Sequence, residues 1–215
     1  MRILESAPSR YDTGIRILTL GQLDKAYERL TSYIKQGQSV LDIGCGTGAL
    51  TFRAAGKGAK VKGIDVNPQM IEIAEKRAKG RDFAQNIEFF EMGAAELGDE
   101  DAGSYDIVMS GLCFSELTED ELTYTLKEVK RILKPGGILL VADETKPTTI
   151  LKQIFYWIIR VPLLIITYLI TQMTTHPLTN LPEVVDKSGL QTITIRPNKM
   201  ESFIELIARK PEGCT

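Results

Sequence analysis

The stretch Val40-Leu41-Asp42-Ile43-Gly44-Cys45-Gly46-Thr47-Gly48 gathers the residue types that could hold a charged nucleotide. Apolar positions surround an acidic residue, and three glycines follow at every second position. Glycine enters φ > 0 readily and lets a ligand approach the main chain where a Cβ would clash. A strand that runs into such a loop ahead of a helix is how open α/β sheets build nucleotide sites. Gly44, Gly46 and Ala49 also satisfy the dinucleotide fingerprint, whose third position tolerates alanine. Asp42 speaks against a pyrophosphate, because a carboxylate repels an anion in a site meant to attract one. The same carboxylate suits a ligand that carries an ammonium group and a sulfonium. Asp65 closes a second strand about 20 residues beyond the loop, where an acidic side chain accepts the ribose hydroxyl protons of either nucleotide. Loop, Asp42 and Asp65 together point to S-adenosylmethionine (SAM) ahead of a nicotinamide cofactor.

Those residues need a sheet to position them. From residue 39 onward strand and helix patterns alternate, as in a doubly wound α/β sheet. Strands are expected at Ser39–Ile43, Lys60–Asp65, Ile87–Met92, Tyr105–Ser110 and Ile138–Ala142. Gln191–Ile195 and Ser202–Ala208 alternate like a hairpin pair with a loop at Pro197-Asn198. Amphipathic helices are expected at Ile15–Leu20 and Leu23–Ile34, then from about residue 49 to 56. The pair Asn67-Pro68 starts a helix that runs to Lys79. Thr118 and Glu121 form a capping box for a helix that reaches Leu133, and Lys134-Pro135-Gly136-Gly137 turns the chain into the fifth strand. Pro182–Ser188 reads as a short helix stopped by Gly189. The chain thus divides into an N-terminal helical cap, residues 1–36, and a ligand-binding domain, residues 37–210.

Composition sets the class. At 215 residues the chain can bury a full core, and its net charge of −2 leaves no basic footprint for nucleic acid. Cys45, Cys113 and Cys214 are widely spaced, with no pair at metal-ligand spacing, and fit a reducing interior better than a disulfide framework. The opening residues carry no apolar signal core, so a cytoplasmic location is expected. Residues 150–170 are mostly apolar and long enough to span a bilayer, but Arg160 and Pro162 interrupt them. Two short helices broken at Pro162 are expected instead, part of an apolar helical lid over residues 147–182. An exposed apolar lid would favour a homodimer.

Three stretches make the sequence similar to a known family. Asp42-Ile43-Gly44-Cys45-Gly46-Thr47-Gly48, Ile64-Asp65-Val66-Asn67-Pro68-Gln69-Met70 and Leu133-Lys134-Pro135-Gly136-Gly137 resemble motifs of the class I SAM-dependent methyltransferases, in order and spacing. The resemblance covers roughly residues 38 to 210. It implies a Rossmann-like seven-stranded sheet, mostly parallel with an antiparallel last strand, and SAM over the carboxyl ends of the first and fourth strands. It also implies that Gly44, Cys45, Gly46 and Asp42 serve the methionine end and Asp65 the ribose. Val66, Met70, Ala94 and Ala95 would serve the adenine, and Ser110 and Gly111 the methionine moiety. Residues 5–12, 109–117 and 202–210 look further like the corrinoid-protein-associated methyltransferases, which implies a corrinoid protein as partner. Two departures stand out. Met92-Gly93-Ala94-Ala95-Glu96 lacks the acidic residue that many relatives place near adenine, so backbone of Ala94 or Ala95 would replace it. Ser115-Glu116 stands where relatives often carry paired histidines.

Methyl transfer from a sulfonium is an in-line displacement, so the protein must align the partners and exclude water. A base is needed only where the acceptor loses a proton. Glu116, Tyr11 and His176 are the candidates for that work, with Cys113, Asp143 and Glu144 near them. Each has a plainer explanation: Tyr11 can pack the cap, Glu116 can be a solvated residue before a helix, and His176 precedes Pro177 in a polar loop. Asp143 and Glu144 can simply bound the next helix. Three functions are consistent with this: a methyltransferase acting on a small or corrinoid-presented acceptor, a non-catalytic SAM-binding partner of a corrinoid protein, or a quinone-type C-methyltransferase.

Overall fold

The computed structural model describes residues 22–147, Gln153 and residues 177–213. Seven strands form one sheet in the order β3-β2-β1-β4-β5-β7-β6: β1 (Ser39–Ile43), β2 (Lys60–Asp65), β3 (Ile87–Glu91), β4 (Tyr105–Gly111), β5 (Leu133–Glu144), β6 (Gln191–Pro197) and β7 (Phe203–Arg209). Strands β1 to β5 pair in parallel, whereas β7 runs antiparallel to both β5 and β6. The order reverses between β1 and β4, where open α/β sheets bind ligands at the carboxyl ends of their strands. The sequence-based expectation for the sheet holds.

Helices cover both faces: α1 (Gln22–Thr31), α2 (Ala49–Ala55), α3 (Pro68–Ala78), α4 (Glu119–Ile132) and α5 (Leu181–Lys187). Two-residue alternation splits each central strand between two cores. On one face Val40, Ile107, Met109 and Leu140 pack with Leu23, Tyr27, Leu30 and Ala54. On the other, Leu41, Ile43, Val108, Leu139 and Val141 pack with Leu122, Leu126, Val129 and Val185. The helix starts follow the local chemistry. Asn67 accepts the Gln69 amide at 3.0 Å ahead of Pro68, and Thr118 and Glu121 exchange the two bonds of a capping box. Helix α1 is clamped onto the sheet by the Arg29 guanidinium, which forks onto the buried Glu205 carboxylate of β7.

Two expectations need correction. The strand expected at Ile138–Ala142 spans Leu133–Glu144, because Leu133 already pairs with Tyr105 before an irregularity in the ladder absorbs the Lys134–Gly137 turn. Residues 94–99 and 114–116, left without structure in the hydropathy pattern, form 3₁₀ turns too short to show a helical period. The apolar segment, Ile15–Leu20, Tyr11 and His176 lie outside the described residues. Among the described residues no helix is long and apolar enough to cross a membrane.

Candidate active site

A cleft of about 720 Å³ opens over the carboxyl ends of β1, β2 and β4. Its floor is the loop after β1. The Cys45 amide donates to Ile64 O at 2.9 Å, and the Gly46 amide to Asp65 Oδ2 at 2.8 Å. Asp65 Oδ1 accepts the Asn67 amide at 2.8 Å, so one carboxylate ties the loop to the turn that starts α3. Burial raises the Asp65 carboxyl above its ordinary range, while the Asn67 and Gly46 amides pull it back. Gly44 has no substitute here. Its φ is +68°, and a Cβ at that position would lie 2.4 Å from Cys113 Cβ.

The facing rim starts where β4 ends. A Cβ on Gly111 would lie 2.3 Å from Tyr27 Oη, so α1 closes directly onto this strand end. Leu112 follows at φ 60°, a left-handed conformation that costs a branched side chain of order 1 kcal/mol or more. Its amide donates to Ala142 O at 2.9 Å, which holds the residue there. The 3₁₀ turn Phe114–Glu116 comes next, anchored by the fully buried Phe114. The Ser115 amide donates to Asp143 Oδ2 at 3.2 Å, and the Glu144 amide to Asp143 Oδ1 at 2.7 Å. Glu116 then reaches the cleft. Burial, followed by the charges of Asp143, Asp65 and Glu144, pushes its carboxyl up to about 7. Asp143 is also pushed up to about 7, chiefly by burial against the pull of its hydrogen bonds.

Of the residues expected to bind cofactor, Gly44, Cys45, Gly46, Asp65, Val66, Met70, Ala94 and Gly111 line the cleft, and so does Glu116. Asp42, Ala95 and Ser110 do not line it. Asp42 lies beneath the loop, 1% exposed, where Thr51 Oγ1 of α2 donates to its Oδ2 at 2.6 Å. Strand alternation places it there, on the opposite side from Leu41 and Ile43. Its Oδ1 is buried with no protein partner, and burial pushes the carboxyl up to about 7. Ala95 is exposed while Ala94 turns inward, and Ser110 is fully buried in β4. The Cys45 and Cys113 thiols are both pushed upward by burial and neighbouring carboxylates, so neither is a ready thiolate.

Sequence reasoning missed Tyr27 and Leu112. Tyr27 reads as a core position of an amphipathic helix, and nothing in a leucine announces positive φ. It also missed Phe52 and Arg53 of α2, which extend the cleft wall. Arg53 stays in place through Asp24 at 2.7 Å and Glu28 at 3.1 Å, and lies 5.7 Å from the Tyr27 ring centre. Among the described residues no group of three His, Cys, Asp or Glu side chains is placed to hold a metal ion.

Residues 40–137 match the family described as methyltransferase domain. Over those residues the chain resembles the class I SAM-dependent methyltransferases. The chain is similar to a demethylmenaquinone methyltransferase of Lactococcus lactis, with 38% identity over 71% of this chain and 62% of the relative. It is also similar to a ubiquinone/menaquinone biosynthesis C-methyltransferase of Hahella chejuensis, with 32% identity over 68% of this chain and 60% of the relative. The chain therefore spans about 60% of the length of these curated relatives. A SAM-dependent methyltransferase from Methanosarcina mazei shares the fold, with a TM-score of 0.68 at 23% identity over 85% of this chain and 96% of that one. SAM is the cofactor of the family, and the donor set fits it. The glycine floor admits close backbone approach, Asp65 and Glu116 line the cleft with carboxyl groups that suit a cationic ligand, and the orphaned Asp42 oxygen lies beneath the floor.

Proposed function

We propose that this methyltransferase moves a methyl group from SAM to a small quinol or phenol-type acceptor that gives up a proton to Glu116. The observation that carries the reading is the half-buried Glu116 carboxyl, poised at about 7 and lining the same cleft as the glycine loop and Asp65. An ordinary carboxylate is too weak a base for a phenolic hydroxyl of pKa ~10, and a carboxyl raised toward neutrality narrows that gap by about three units. Loss of the hydroxyl proton makes the neighbouring ring carbon nucleophilic; once that carbon takes the methyl, its own proton is released and the oxygen regains one, which restores the aromatic ring. The names of the Lactococcus and Hahella relatives, both quinone methyltransferases, support this choice of acceptor.

In this reading the backbone of Gly44, Cys45 and Gly46 receives the methionine end, with Gly111 and the buried Ser110 behind it. Asp42 places a negative charge beneath the ammonium group. Asp65 accepts from the ribose hydroxyls while keeping its bonds to Gly46 and Asn67. Val66, 65% exposed at the cleft mouth, presents an apolar surface that a purine ring would cover, next to Met70, Ala94 and the backbone of Ala95. SAM, when bound, supplies a methyl group on a sulfonium and leaves as the neutral thioether. Tyr27 and Leu112 wall the donor end and exclude water, and Glu116 takes the acceptor proton.

The test is transfer of labelled methyl from SAM to a soluble short-chain demethylated naphthoquinol. A C-methylated product is expected, falling at least about 100-fold in Glu116→Gln while SAM affinity by calorimetry stays within about two-fold. Tight SAM binding with label passing only to a corrinoid protein, or to no acceptor, would overturn the reading.

A further inference from the structure

Resting on that reading of Glu116 as the base, we infer that Asp143 is a positioning residue: its buried carboxyl holds the turn that presents Glu116 to the cleft. Asp143 ends the buried run of β5 with no exposed surface, and its described partners are the Ser115 and Glu144 amides and the Ser115 hydroxyl rather than a cation. An ionised carboxylate is expensive to bury on such terms, and packing alone would be served better by an apolar side chain. What the carboxylate does is fix the position of Ser115. Three constraints then fall on consecutive parts of one short segment: Leu112 is held left-handed by Ala142 O, Phe114 is locked in the core, and the Ser115 amide is held by Asp143. The next residue is Glu116, so its backbone is fixed at the rim of the cleft that its side chain lines.

The second effect is electrostatic. Facing Glu116 are Asp143 and Glu144 from β5, Asp65 from β2 and the Cys113 thiol from its own turn; Glu121 of α4 and Arg53 of α2 line the same cleft. Asp143 contributes the largest of the charge effects on Glu116. While Asp143 is ionised, Glu116 binds its proton more tightly, and the two carboxyls titrate as a coupled pair.

The experiment is carboxyl-carbon NMR on ligand-free protein labelled at glutamate and aspartate, with Glu116 assigned through Glu116→Gln. In the parent, Glu116 is expected to titrate near neutrality, and the Ser115 amide signal should move with the same midpoint. In Asp143→Asn, which keeps one acceptor oxygen for the turn, the Glu116 midpoint should fall by about one unit. SAM affinity should stay within about two-fold, showing that the donor side is intact. An unmoved Glu116 midpoint in the folded variant would overturn the proposal. If Asp143→Asn does not fold, the parent decides: a Ser115 amide that ignores the Glu116 titration overturns it too. Neither measurement uses an acceptor, so failure to find methyl transfer leaves this result standing. Conversely, a failed titration leaves the methyl-transfer reading to its own test.

Discussion

The loop after β1 and the turn after β4 face each other across one cleft and hold their groups by different means. The loop works through backbone: glycine at φ +68°, amides tied to Ile64 and Asp65, and little side-chain bulk. The turn works through side chains set by distant elements: Phe114 in the core, Asp143 from β5, Tyr27 from α1. A backbone device tolerates almost no substitution at Gly44, because the cost there is steric and immediate. A side-chain device can lose its chemistry and keep its shape. The two rims touch at Gly44 and Cys113, which is where the difference can be tested.

Gly44→Ala should have the largest effect. With a Cβ 2.4 Å from Cys113 Cβ and positive φ, SAM affinity is expected to fall more than about 100-fold, with a loss of several kcal/mol in urea unfolding. The double variant Gly44→Ala with Cys113→Gly should recover the steric part and leave the backbone strain, about 1 kcal/mol. Recovery of nothing would mean that the rims do not meet there. Next come Asp65→Ala and Glu116→Gln as an opposed pair. The first should lower SAM affinity about 100-fold, as two charge-assisted hydrogen bonds to ribose are lost. The second should spare affinity and remove turnover. Equal effects of both on SAM binding would erase the distinction between donor and acceptor rims.

Acidity gives a smaller and more graded effect. Asp42, Glu116 and Asp143 each sit at about 7 in the folded protein, whereas the unfolded chain releases those protons near about pH 4. Between those values the native state binds more protons than the unfolded one, so stability falls as pH rises through the window. The ligand-free protein should therefore melt several degrees higher near about pH 5 than near about pH 8. SAM, being cationic, should bind about tenfold more tightly at about pH 7.5 than at about pH 5.5, as the Asp42 carboxyl beneath the loop ionises. A flat pH dependence in both would show that these carboxyls are ionised throughout. Smallest of all, Thr118→Ala should cost about 1 kcal/mol by removing the cap of α4, with SAM affinity unchanged.

Much of the donor rim was legible because its requirements are local. A glycine at Gly44, an acid at Asp65 and the Asn67-Pro68 helix start each act within a few residues of chain, so residue type and spacing reveal them. The strand positions and the doubly wound class followed from strand-helix alternation for the same reason. Asp42 shows the limit: its identity signalled a carboxylate at the loop, but strand parity turned it under the loop toward Thr51. The acceptor rim was legible only as a set of candidates. Glu116 looked like a solvated residue before a helix as readily as a base, and Tyr27 looked like core.

What the sequence by itself determined was the α/β class, the positions of the strands along the chain, the glycine floor and the acid at Asp65 that closes β2, since each is written in short-range chain geometry. Only the tertiary structure decided that Glu116 lines the cleft, that Asp143 holds its turn and that Tyr27 closes on Gly111. Those facts depend on contacts between residues 28 or more positions apart, and on burial, which moves a carboxyl from its ordinary range to about 7 and cannot be read from residue type.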